Sequence, residues 1–101
     1  MIIWRICIAL GGLALGALIA LAFADGDFGA AGAWLMADPW GQVTLADLYL
    51  GFFFLALVIA LFERQPLRAA FWIVPLPFLG NVWAAIWLVL ALPELARRLK
   101  P

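Results

Sequence analysis

Histidine is absent from this chain of 101 residues, cysteine and tyrosine occur once each, and only 12% of the side chains are charged. Without histidine the chain alone cannot form a His-ligated haem or pigment site, a His acid–base relay or most zinc sites. A lone cysteine, Cys7, cannot close an internal disulfide, and within an apolar run it is expected to behave as a buried small hydrophobe rather than a reactive or lipidated thiol. The six Lys and Arg balance the six Asp and Glu, so there is no basic footprint for a nucleic acid. No complete catalytic, metal or nucleotide motif is present. The sequence is therefore read as non-enzymatic, with no cofactor and no metal.

What is abundant is apolar. Hydrophobic residues make up 69% of the chain, and the mean hydropathy is +1.16. Charged residues are about a quarter of ordinary soluble domains, and a soluble fold this short hides only about 60% of the surface its unfolded chain exposes. Lipid resolves the conflict. The expected fold is all-α and integral to a membrane: three transmembrane helices at about residues 3–24, 39–62 and 69–92 in one domain. The third is kinked at Pro75 and Pro77, and a short amphipathic tail follows at 93–101.

The first segment has two readings. Arg5, an apolar core and Ala22-Phe23-Ala24 resemble a signal peptide with its cleavage site. The apolar run from Ile6 to Ala24 is 19 residues, longer than a usual signal core and near the roughly 20 that cross a bilayer, which favours a retained span. Gly12 and Gly16, continued by Ala20 at the same four-residue step, give a row of small side chains. Such a row packs either on a partner helix or on the chain's own helices.

Residues 25–38 form the connector. Asp25, Gly26 and Asp27 favour a turn. The apolar piece from Phe28 to Ala37 is too short to span and is placed at the interface. Asp38 then offers an N-cap with Pro39 at the first helical position, and Thr44 with Asp47 offers a later alternative start. No Lys or Arg lies between Arg5 and Arg64, so the connector is expected outside, with the N-terminus cytoplasmic in a cell (inner) membrane. Three full crossings divide the cations evenly between the two sides. A third segment that re-enters at Pro75–Asn81 and returns would put them all on one side.

An ionisable group within a bilayer is a functional candidate by default. Asp47, with Gly51 one turn on and Tyr49 and Thr44 close by, is the strongest here. Asn81 is its expected partner if the second and third spans run antiparallel. The pair is read either as a proton- or cation-handling site, the basis of a minimal oligomeric transporter, or as a hydrogen bond that sets register. Trp4, Trp40 and Trp72 suit an interfacial belt, whereas Trp83 and Trp87, one turn apart, suit a packing stripe or a flat ligand.

The pattern Asp38-Pro39-Trp40, Thr44-Leu45, Asp47 and Tyr49, followed by Leu79-Gly80-Asn81, resembles a family of small multi-span membrane proteins of unknown function in bacteria and plants. The resemblance covers residues 38–92. It implies that Asp47 and Asn81 are a shared feature and implies no activity. The functional expectation is an accessory or assembly subunit, or a homo-oligomer, acting by helix packing. Its partners are then membrane lipid and another membrane protein or a second copy, and any small-molecule ligand is unknown.

Overall fold

The computed structural model describes residues 2–100, and they are helical almost throughout: α1 (Ile2–Asp25), α2 (Phe28–Ala37), α3 (Pro39–Phe62), α4 (Pro66–Ile73) and α5 (Leu76–Leu99). Three of these, α1, α3 and α5, have the length and apolar composition of membrane spans. At 24 residues each they run about 36 Å, and the molecule is 48 Å along its greatest dimension.

Local chemistry explains the boundaries. Asp27 caps α2, its carboxylate accepting from the Ala30 N–H at 3.1 Å. Asp38 caps α3 through the Trp40 N–H at 3.0 Å, with Pro39 at the first helical position. The earlier of the two possible starts is thus the one used, and Thr44 is helix interior, its hydroxyl donating back to the Trp40 carbonyl at 2.9 Å. The turn between α2 and α3 is tight enough that a β-carbon on Gly41 would come within 2.4 Å of the Leu35 carbonyl oxygen, so only glycine fits there.

The third apolar segment is interrupted at its prolines, as expected: the chain forms the short α4 and turns through Val74 and Pro75 into α5, which supplies the third span-length helix at 76–99 rather than 69–92 and is broken again at Gly80 (φ 67°, ψ −147°). That conformation is essentially reserved for glycine. Beyond the break the helix continues through Pro93 to Leu99, so residues 93–99 extend α5 rather than forming a separate tail.

Helix directions follow from which residues meet. Arg5 of α1 reaches Val89 of α5, and Gly12 lies against Ala85, where an added β-carbon would be 2.9 Å from the alanine's own. Numbering rises on one as it falls on the other, so α1 and α5 are antiparallel. Between α3 and α5 the trend is reversed. A β-carbon on Gly80 would lie 3.6 Å from the Phe52 ring, the Phe62 and Trp87 rings meet edge to face at 5.7 Å, and Arg98 donates to the Phe62 carbonyl at 2.9 Å. These two helices run in the same direction. The short α4 returns alongside α3, with Arg68 near Glu63 and Ile73 beside Phe53 and Ala56.

The buried centre is small: Phe52, Ile59, Leu76, Trp87 and Ala91, contributed by α3 and α5. Ile59, Leu76 and Trp87 are no more than 1% exposed. α1 contributes no buried residue.

Candidate functional site

Prolines and breaks leave carbonyls without their helical N–H partners, and in hydrocarbon each such group is costly unless another donor reaches it. Four side chains answer that need here. The Val89 carbonyl would pair with the N–H of residue 93, which is proline, and the Arg5 guanidinium donates to it from α1 at 2.9 Å. The Phe62 carbonyl faces Pro66 in the same relation, and Arg98 supplies the donor while its guanidinium lies 4.3 Å over the Phe62 ring. In the last turn of α4 the Trp72 carbonyl accepts from the Trp83 indole at 2.9 Å. The Pro77 carbonyl, whose i+4 partner lies past the Gly80 break, accepts from the Tyr49 hydroxyl at 3.3 Å. These contacts tie α1 and α3 to the broken third segment.

At one end Glu63 is almost enclosed, its side chain 8% exposed, with the Trp87 indole donating to it at 3.2 Å and the Arg68 guanidinium forming an ion pair at 3.6 Å. Glu94 pairs with both Arg97 and Arg98. Antiparallel α1 and parallel α3 and α5 bring Arg5, Arg64, Arg68, Arg97, Arg98 and Lys100 to this same end, while Asp25, Asp27 and Asp38 lie at the other.

The Asp47–Asn81 pair does not form. Asp47 and Asn81 are both exposed, and no hydrogen bond joins them among the described residues. Leu45, Leu48, Tyr49 and Phe52 face a groove of about 610 Å³ that also contains Leu79, Gly80 and Asn81, with α1 and α2 closing its sides. At 100° per residue, Asp47 and Gly51 stand far around α3 from that stripe, Asp47 by about 150°. The expected pairing assumed antiparallel spans, whereas the elbow at Gly80 brings Asn81 to the groove side of α3. Tyr49 and Asn81 thus share the groove, and Asp47 and Thr44 do not line it. No charged residue lines the groove, and no group of acidic or thiol side chains close enough to hold a metal occurs among the described residues.

Of the small-residue row, Gly12 packs on α5 within the chain. A β-carbon added at Gly16 would meet nothing within 4 Å, Ala20 is exposed, and Gly51 is as open as Gly16. Cys7 is exposed rather than buried. Trp72 is half-buried, its ring centroid 4.8 Å from that of Trp83. Trp87 fills the buried centre as a packing residue. Arg5, Arg98 and Gly41 have roles that the sequence pattern did not single out. For the two arginines a signal exists, because Pro93 and Pro66 each orphan a carbonyl four residues earlier. Compared with family models, with curated proteins and with solved structures, the chain finds no match in any of the three.

Proposed function

We propose that the chain is a helix-packing subunit of a membrane, with the outward face of α3 around Asp47 and Gly51 covered by a second transmembrane helix, from a partner protein or another copy. The observation that carries this reading is a carboxylate with no hydrogen-bond or ion-pair partner among the described residues. Asp47 lies two turns into a spanning helix, outward-facing and opposite the groove. A bare aspartate at a helix centre costs about 2.5–3.5 kcal/mol on insertion scales. Gly51, one turn on, leaves room for a neighbouring backbone to approach.

The charge distribution supports an orientation for this subunit. With all six Lys and Arg at one end, the excess of cations marks the cytoplasmic side, so the start of α1 and the end of α5 lie there. The α4–α5 segment then enters and returns as a re-entrant hairpin.

The test is oxidative cross-linking in native membranes with Gly51→Cys in a Cys7→Ser background, alongside a photo-cross-linker at Gly51. Either a two-copy adduct or one specific heteroadduct is expected, and Asp47→Leu should reduce it strongly. A chain that extracts as a monomer, with no adduct from position 51, overturns the reading. The alternative, an oligomeric transporter using Asp47 for a proton or cation, requires the assembled copies to enclose the carboxylate in water. In that case Asp47→Asn abolishes ion flux in liposomes while leaving the cross-link in place.

A further inference from the structure

At the basic end, α1 and α5 diverge around a second crevice. Trp4 and Ile8 line it from α1, and Leu92, Leu95, Ala96 and Leu99 line it from α5, with Lys100 at the rim and a volume of about 390 Å³. The spacing explains the shape. Residues 4 and 8 are one turn apart on α1, and 92, 95, 96 and 99 form one stripe of α5, so two apolar ridges line the crevice from either side. α1 lies close to α5 at Gly12 and Ala85, which closes the crevice toward the middle of the molecule and leaves it open toward the basic end.

The donors at this mouth are unusual for the end they occupy. Arg68 is beside Glu63, and Arg97 and Arg98 are held by Glu94, while Arg5 is committed to the Val89 carbonyl. Lys100 is in none of the ion pairs among the described residues, and the indoles that donate hydrogen bonds among them are those of Trp83 and Trp87, not Trp4. An apolar slot between two helices, ending in an ammonium and an indole N–H that have no partner among the described residues, is complementary to an acyl chain joined to an anionic phosphodiester. The surplus of cations at this end favours a net-negative headgroup over a zwitterionic one.

We propose that this crevice is a binding site for one anionic phospholipid, with an acyl chain between Trp4, Ile8, Leu92, Leu95 and Leu99 and the phosphate held by Lys100 and the Trp4 indole. The site is separate from the Asp47 face and does not depend on what covers that face.

The experiment is native mass spectrometry of the full chain released from mild detergent, with added phosphatidylglycerol or phosphatidylcholine of identical chains. The parent retains one phosphatidylglycerol in preference to phosphatidylcholine. Lys100→Gln lowers that retention about five-fold, the worth of one cation at an anionic surface, and Lys100→Arg restores it. Trp4→Phe keeps the apolar wall, loses the indole donor and also lowers retention. Arg64→Gln, at the same end but outside the crevice, leaves it unchanged. Equal retention of the two lipids by the parent overturns the proposal. So does a loss with Arg64→Gln as large as that with Lys100→Gln, because the attraction would then be a diffuse field and not a site. Circular dichroism at parental helicity excludes unfolding as the cause of any loss.

Discussion

Arg5 shows how much a single side chain can carry in this molecule. A guanidinium in the first turns of a span invites a topological reading alone, yet here it satisfies the carbonyl that Pro93 leaves bare. Hydrogen bonds to charged groups contribute more than neutral ones in water, and interhelical bonds in lipid are worth less than intuition suggests. Arg5→Leu is therefore expected to cost about 1–2 kcal/mol. The more telling result is the coupling. With Pro93→Ala the Val89 carbonyl regains its helical donor, and Arg5→Leu in that background should cost less than about 0.5 kcal/mol. Reversible unfolding by SDS titration in mixed micelles measures both legs. Equal costs in the two backgrounds would show that Arg5 acts by charge or bulk and not by capping a carbonyl.

At the scale of elements, the helices themselves were legible, and for physical reasons. Asp38 followed by Pro39 is an N-cap with its first helical residue, and an apolar run ending in Glu63-Arg64-Gln65-Pro66 can only stop there. The ten-residue length of α2 by itself rules it out as a span. The third segment was not legible to the same degree, because Pro75 and Pro77 announce an interruption without saying which way the chain leaves it. That direction is set by Gly80, whose positive φ turns the chain back, and by tertiary contacts from Tyr49 and Phe52 that no local pattern encodes. Gly80→Ala should cost about 1–3 kcal/mol from backbone strain, since the space beside it is adequate. Gly11→Ala, in an open helical position, should be neutral or slightly stabilising. The same SDS titration compares them, and equal effects would remove the elbow as a strained, glycine-dependent feature. The Asp47–Asn81 pairing failed at this scale too: the two residues are placed correctly along their segments, but the elbow changes which face of α3 meets Asn81.

For the whole molecule, one consequence of the elbow outweighs the rest. Because α5 runs with α3 and against α1, every Lys and Arg gathers at one end, and the four Asp lie toward the other. Three full crossings leave the cations split, three on each side; the returning hairpin proposed above would remove the tie. The apolar composition made the membrane evident, but not this arrangement, since composition carries no information about chain direction. The small buried centre, confined to α3 and α5, fits a body whose remaining surfaces face lipid, the proposed partner helix and the crevice beside Trp4. The most direct test is side-specific labelling with a membrane-impermeant maleimide in intact host cells, using Asp25→Cys, Arg64→Cys and Lys100→Cys one at a time in a Cys7→Ser background. The returning hairpin predicts that positions 64 and 100 share one side and position 25 is labelled from the other. Labelling of position 100 together with position 25, opposite position 64, would contradict it.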